Sequence, residues 1–114
     1  MGRSRGRATR PADVTFSVLI RAPARQDIDR ARDWYAEHAP EQVTRFLHQL
    51  AAAIDRLRDS PQVFRPLRQD ARRATLRVFP YELWYRVHVE PRVIEVLAVV
   101  HARQDPGRLI DRLH

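Results

Sequence analysis

Hydrophobic residues recur with two different periods along this chain, and the change of period separates predicted helices from predicted strands. Near the N-terminus apolar and polar residues alternate, which predicts a first strand. Its apolar positions are Val14, Phe16, Val18 and Ile20. Pro23 ends this strand, and residues 24–38 then carry apolar side chains at helical spacing. The Ala39-Pro40 step predicts the end of the helix, because a residue before proline avoids helical dihedral angles.

A second helix is predicted from Pro40, which suits a first helical turn, to the sequence Asp59-Ser60-Pro61. One apolar stripe runs along its whole length. The stripe contains Val43, Phe46, Leu47, Leu50, Ile54 and Leu57. Two helices joined by so short a connection fold back as an antiparallel pair.

The second half of the chain predicts strands. Residues 62–72 are mostly polar and predict a loop, and strands follow at 74–78, 81–89 and 92–100. A short helical turn is predicted at 108–113. The order β-α-α-β-β-β predicts an α+β fold, in which a helical hairpin packs on one face of a twisted, mainly antiparallel four-stranded sheet.

Strand alternation divides the side chains of this sheet between two faces. The residues predicted to face the helices are Leu76, Val78, Leu83, Tyr85, Val87, Val89, Ile94, Val96, Ala98 and Val100. Leu97 and Val99 are predicted to face away. The side chains able to bind a partner on that second face are predicted to be Arg73, Arg77, Trp84, Arg86, His88, His101 and Arg103. Such a surface can hold phosphates through guanidinium groups and stack a base on Trp84. The alternative is an ordinary solvated sheet face on which the chain terminus covers Trp84.

Charge adds a preference for anionic partners. The net charge is +7 with a sequence pI of about 11.2, and all 21 basic residues are arginine. This excess is typical of proteins that bind nucleic acid, a ribosome or an acidic protein segment. Residues 1–13 are predicted to be a disordered basic leader, and residues 14–114 a single domain.

Other kinds of site find no support in the sequence. The chain has no cysteine, which excludes disulfides and thiolate metal ligands. Its five histidines show no ligand spacing, and its three glycines form no phosphate-binding loop, so neither a metal nor a cofactor is expected. No apolar run reaches membrane-spanning length, and a cytoplasmic protein without a membrane partner is expected.

Four motifs in order resemble the ParE/RelE superfamily of toxins from type II toxin–antitoxin modules, over residues 14–111. They are AxxDIxxAxxWYxxxAP from Ala24, IxxLRDSP from Ile54, LRVFPYELWYRV from Leu76 and VIEVLAVVHARQDP from Val93. The resemblance implies a small toxin with the fold predicted above. It also implies a cognate antitoxin whose acidic segment wraps the toxin and blocks it. For this chain, Trp84 and the groove beside the helix pair are predicted to contact that antitoxin.

The resemblance leaves two activities open. RelE-like members cut mRNA on the ribosome without a metal, which implies catalytic roles here for His101, Arg103, Arg77 and Arg73. ParE-like members are reported instead to inhibit DNA gyrase.

Several positions favour the ParE side of the superfamily. Glu82 replaces an arginine of the nuclease members, and Leu109 replaces their terminal tyrosine. The Phe-Pro-Tyr turn and the HxRxDP ending also look more ParE-like. The first hypothesis is therefore a gyrase inhibitor that is not an enzyme, the second is a ribosome-dependent mRNA endonuclease, and the third is a non-catalytic nucleic-acid-binding domain.

Overall fold

Two long helices and five strands make up the part of the chain that the computed structural model describes, which is residues 15–103, 109, 112 and 113. In chain order they are β1 (Ser17–Ile20), α1 (Ala22–His38), a 3-10 turn (Pro40–Gln42), α2 (Val43–Asp59), β2 (Pro66–Arg68), β3 (Ala71–Thr75), β4 (Tyr81–His88) and β5 (Val93–His101). The predicted α+β fold with a helical hairpin is confirmed, but the sheet has five strands rather than four. The predicted leader, residues 1–13, and Val14 lie outside the described residues.

Both helices follow the sequence signals closely. Pro23 lies in the first turn of α1, where its missing N–H has no helical partner to lose, so α1 begins at Ala22 rather than Ala24. The helix ends at His38, and the following residue, Ala39, leaves the helical conformation while donating its N–H to the Tyr35 carbonyl at 2.7 Å. No helix in the described ranges is long and apolar enough to cross a membrane.

The strand order is β1-β5-β4-β3-β2, with β1 parallel to β5 and the other pairs antiparallel. The additional strand, β2, lies within residues 62–72, which were predicted to be a loop. Its three residues are all exposed, so it lacks the alternation that marks a strand. A two-residue turn joins it to β3, with positive φ at both Gln69 (49°) and Asp70 (67°), as the right-handed twist of a hairpin favours.

A β-bulge changes the facing of half of β5. Tyr85 pairs with Val96 and the preceding Trp84 pairs with Ala98, so Leu97 is the extra residue. Ile94 and Val96 face the helices as predicted. Beyond the bulge the prediction is wrong, because Val99 packs in the core beneath the helices whereas Ala98 and Val100 lie on the other face. Val78 was predicted to face the helices, but it lies beyond the end of β3 and is exposed.

The sheet is covered on both faces. The main core lies between the helices and the sheet and includes an aromatic group of Tyr35, Phe46, Phe79 and Tyr81. Tyr85 is fully buried there and donates its hydroxyl to the Pro61 carbonyl at 2.9 Å, and burial raises its pKa to about 12. A second core on the opposite face consists of Ala71, Trp84, Leu97, Ala98, Val100, Leu109 and Leu113. Of the predicted terminal turn, Leu109, Arg112 and Leu113 are described and helical.

Candidate functional site

A groove of about 510 Å³ opens on the sheet face away from the helices. Its described lining residues are Leu67, Arg68, Arg73, Glu82, Trp84, Val100, His101, Ala102 and Leu109. Arg73 pairs across the strands with Trp84, and its guanidinium carbon lies 5.9 Å from the centre of the indole ring. The same guanidinium lies 3.6 Å from Glu82, which also accepts a 3.2 Å hydrogen bond from the indole N–H. Arg73 is therefore already engaged by a carboxylate and an aromatic face.

Trp84 does not provide an open stacking surface. It is only 4% exposed, because Leu109 and Leu113 pack against it in the second core. The expectation of an open aromatic face is thus wrong, and the alternative, in which the chain terminus covers Trp84, is what the structure shows. Trp84 also lies on the opposite side of the sheet from the helix pair. It cannot form one continuous surface with a groove beside those helices.

His101 occupies the end of β5 at the edge of the sheet, where it lines both the groove of about 510 Å³ and a depression on the helix side. It pairs with Tyr81, and the two ring centres are 5.3 Å apart in an edge-on arrangement. Its Nδ1 accepts the backbone N–H of Arg103 at 3.1 Å. An accepting Nδ1 carries no proton, so the neutral ring is protonated at Nε2 and presents a donor there. In this arrangement His101 presents a hydrogen-bond donor rather than a free basic nitrogen.

Arg86 and His88 make structural contacts at the other end of β4. Arg86 donates to the Gln69 carbonyl at 3.0 Å and to the Leu113 carbonyl at 2.9 Å. It therefore supports the positive-φ turn after β2 and fixes the C-terminal residues over the second core. His88 Nε2 lies 2.9 Å from Oε1 of the buried Glu95. Oε2 of the same carboxylate accepts a hydrogen bond from Arg21 Nε at 2.5 Å. This ion cluster joins β4, β5 and the start of α1.

The Glu95 cluster makes stability sensitive to acid. Burial alone would raise the pKa of Glu95, but hydrogen bonds from His88 and Arg21 and their positive charges outweigh burial and lower it below the usual 4.5. Because the pKa of Glu95 is lower in the folded state than in the unfolded state, its ionised carboxylate stabilises the fold at pH values above 4.5. This stabilisation is lost as the pH falls below 4.5 toward the pKa of the folded state. Glu95→Gln is expected to lose part of this pH dependence in urea unfolding measured from pH 7 to pH 3. The exposed Glu90→Gln serves as the control, and an unchanged slope in Glu95→Gln would contradict this assignment.

Arg77 and Arg103 are exposed at one end of the sheet. Neither guanidinium makes an ion pair with the described part of the chain. The Ala102 N–H donates to the Pro80 carbonyl at 2.8 Å, which ties the end of β5 to the turn between β3 and β4. The seven residues predicted to form one face are therefore divided among the groove, the Glu95 end and this open end. Their functional roles remain predictions.

Trp34 is a further candidate binding residue, which the surface predicted from the sequence does not include. It is 50% exposed on α1, stacks on His38 with ring centres 4.4 Å apart and contacts the edge of Tyr35. The His38 Nδ1–H donates to the Trp34 carbonyl at 2.9 Å. With Tyr81 and His101 it lines a shallow depression of about 240 Å³. The sequence signal was weak, because a tryptophan beside the helical stripe is usually a packing residue.

Asp27 is a buried carboxylate below that depression. It is 7% exposed, accepts the Val99 N–H at 2.9 Å and binds Arg30 at 2.9 Å and Arg112 at 2.8 Å. It therefore links α1, the bulged part of β5 and the C-terminal residues. No group of three His, Asp or Glu side chains within the described ranges is arranged to hold a metal ion.

Comparison with known proteins agrees with this architecture. Residues 18–106 match a family model described as the ParE toxin of the type II toxin–antitoxin system parDE. Toxin ParE2 of Mycobacterium tuberculosis is 35% identical over 95 residues, which cover 82% of this chain and 89% of the relative.

Two solved structures share the fold. A chain of the chromosomal ParDE toxin–antitoxin system from P. aeruginosa has a TM-score of 0.67 at 21% identity, covering 76% of this chain and 96% of that one. A mutant of the E. coli toxin RelE in the free state has a TM-score of 0.57 at 18% identity, covering 87% and 94%. The resemblance to the ParE side of the superfamily is confirmed by the family model and the ParE2 relative, and this chain belongs to the ParE toxin family of type II toxin–antitoxin systems.

Proposed function

We propose that this chain inhibits DNA gyrase and that a cognate antitoxin neutralises it by wrapping an acidic segment around it. The proposal extends the reported activity of ParE-like members to this chain. The antitoxin is supported by the ParE family itself, which is a family of type II toxin–antitoxin systems, and by a structural relative from a ParDE system. The net charge of +7 favours an acidic partner segment.

The observation that carries the proposal is that two of the residues that an mRNA endonuclease would need are already engaged by other groups of this chain. Arg73 is paired with Glu82, and His101 is turned beside Tyr81 with its Nδ1 occupied. General acid–base catalysis requires these groups within hydrogen-bond reach of one substrate position. A toxin that acts by binding does not require that arrangement.

The target surface we propose is the open end of the sheet together with Trp34. A half-exposed tryptophan held by two neighbouring rings loses little rotamer freedom on binding, and tryptophan and arginine dominate the energetics of protein interfaces. Arg77 and Arg103 supply cationic groups at the same end of the sheet as Tyr81 and His101. This surface is suited to a protein partner with an anionic, partly apolar face.

The test is inhibition of purified gyrase by wild-type and variant chains. Trp34→Ala is expected to weaken inhibition of supercoiling about tenfold or more, as loss of a central aromatic contact does at other interfaces. Leu19→Ala is the matched control, because Leu19 is 49% exposed and Trp34 is 50% exposed. Arg77→Ala combined with Arg103→Ala is expected to weaken inhibition and to reduce its sensitivity to salt.

Primer extension on translating ribosomes separates the alternatives. Codon-linked mRNA cleavage that is lost in His101→Ala and Arg103→Ala would replace gyrase inhibition with the endonuclease hypothesis. Salt-sensitive binding to any duplex, without toxicity on expression, would support the nucleic-acid-binding hypothesis instead.

A further inference from the structure

The depression that Trp34 lines is distinguished by the hydrogen-bonding groups in its wall. Its polar and aromatic lining residues are Asp27, Arg30, Trp34, Tyr81 and His101. They come from α1, from the first residue of β4 and from the last residue of β5. The volume of about 240 Å³ is smaller than the roughly 300–1,000 Å³ of clefts that enclose small ligands. The depression is therefore suited to a single side chain of a docking protein.

Three of these residues carry hydrogen-bond donors that have no partner in the part of the chain that the structure describes. The donors are the indole N–H of Trp34, the hydroxyl of Tyr81 and the Nε2–H of His101. The donor on His101 is set by its tautomer, because Nδ1 accepts the Arg103 N–H. Burial, and to a lesser degree Tyr35, raise the pKa of the Tyr81 hydroxyl above its usual 10.0, so this hydroxyl keeps its proton.

The one carboxylate among the described lining residues, that of Asp27, is already saturated with donors. Its Oδ1 accepts Arg30 at 2.9 Å and Arg112 at 3.3 Å. Its Oδ2 accepts the Val99 N–H at 2.9 Å and Arg112 at 2.8 Å. A carboxylate accepts about four hydrogen bonds in all, so Asp27 has none left to accept from a ligand. One negative charge is also balanced here by two guanidinium groups, which leaves one positive charge in excess.

A ligand that supplies acceptors and a negative charge complements this arrangement, because a donor buried without an acceptor costs free energy when a complex forms. We infer that the target protein inserts the carboxylate of one aspartate or glutamate side chain between Trp34, Tyr81 and His101. In this role His101 acts as a hydrogen-bond donor and not as a base. The inference rests on the proposed inhibition of gyrase and adds the chemical group that the target presents.

A protein carboxylate suits the depression better than a DNA phosphate does. Arg30 carries the one guanidinium among the described lining residues, and Asp27 binds it. Sites for single-stranded nucleic acid combine a groove of cationic groups with aromatic faces on which bases stack. Here one face of the Trp34 indole is already covered by the ring of His38, 4.4 Å away.

Two substitutions of His101 separate its donor from its acceptor. In His101→Gln the amide nitrogen can replace Nε2, so the donor is kept and the acceptor for the Arg103 N–H is lost. In His101→Asn the amide oxygen can replace Nδ1, so the acceptor is kept and the donor is lost. The full-length variants are compared as inhibitors of DNA supercoiling by purified gyrase. His101→Asn is expected to inhibit about tenfold or more weakly, the usual loss of a hydrogen bond to a charged group, and His101→Gln within about threefold of wild type.

Tyr81→Phe provides a second test, because it removes the hydroxyl and keeps the ring in the core. It is expected to weaken inhibition about fivefold or more. His48→Asn is the matched control, since His48 is an exposed histidine on α2 and does not line the depression. Its inhibition is expected to equal that of wild type. Melting temperatures of all variants are measured beside the inhibition, and Tyr81→Phe decides the question if a His101 variant is less stable.

The possible outcomes separate this inference from the proposed function. Inhibition that is kept in His101→Gln and lost in His101→Asn and Tyr81→Phe supports the carboxylate site. Equal inhibition by all variants, or a loss in His101→Gln alone, overturns the inference and leaves gyrase inhibition intact. Calorimetry of gyrase binding with and without DNA identifies the source of the acceptor, because a loss in His101→Asn that requires DNA would assign the depression to a phosphate and overturn the carboxylate. A wild-type chain that does not inhibit gyrase overturns both.

Discussion

Replacing Asp27 with alanine is expected to lower the free energy of unfolding by about 3–5 kcal/mol, the usual effect of removing one partner from a buried ion pair. Asp27 is buried and accepts hydrogen bonds from the Val99 N–H and from both terminal nitrogens of Arg112. Without it, the Val99 donor lacks its partner inside the protein, and a guanidinium that also contacts the Leu97 carbonyl loses its counter-charge. Urea unfolding monitored by circular dichroism measures the change.

Asp29→Ala is the matched control for this prediction. Asp29 lies on the same helix and also pairs with an arginine three residues later, Arg32 at 3.4 Å, but both side chains are exposed. Exposed pairs contribute about 0–1 kcal/mol, so this variant is expected to unfold close to wild type. Asp27→Asn keeps an acceptor for the Val99 N–H and is expected to fall between the two. A loss in Asp27→Ala no larger than in Asp29→Ala would refute the linking role of Asp27.

Trp84→Ala is expected to destabilise the fold by about 3–5 kcal/mol, because truncating a buried aromatic residue removes apolar contacts and leaves a cavity. The ring fills the centre of the second core and is covered by Leu109 and Leu113. Its removal also takes away the indole donor to Glu82 and the aromatic face beside Arg73. Thermal unfolding should therefore show a large drop in melting temperature.

The two tryptophans are expected to separate stability from binding. Trp34→Ala removes a half-exposed ring and should change the unfolding free energy by about 1 kcal/mol or less, the range of surface substitutions. Its effect should instead appear in gyrase inhibition. If Trp84→Ala retained wild-type stability while losing target or antitoxin binding, the original expectation for Trp84 as a contact residue would be restored.

The helical half of the fold was predictable because helix ends and apolar stripes are local signals. Pro40 and Ser60-Pro61 mark boundaries that the structure retains, and the stripe containing Phe46 and Leu50 is buried. The strand β2 was not predictable, since Pro66–Arg68 is short and exposed on both faces. It is a strand because the Gln69–Asp70 turn and Arg86 hold it against β3.

The candidate site was only partly predictable for a related reason. Alternation places side chains correctly until one residue is inserted, and nothing local distinguishes Leu97 as that residue. The insertion exchanged the faces of Val99 and Val100 near the end of β5, and the burial of Trp84 depends on Leu109, which is distant in the chain. Identification of the family did not depend on these details, because its motifs are matched along the sequence.

The position of β5 has a consequence for how this toxin is made. It is hydrogen-bonded to both β1 and β4, yet it is the last of the described strands to be synthesised. Contacts that complete the fold join distant parts of the chain, since Arg21 and Glu95 are 74 positions apart and Asp27 and Arg112 are 85 positions apart. A chain that ends before Val93 lacks the strand that lies between β1 and β4, so the sheet beneath the helices is incomplete. We therefore expect prematurely terminated chains to fold incompletely and to be open to proteolysis.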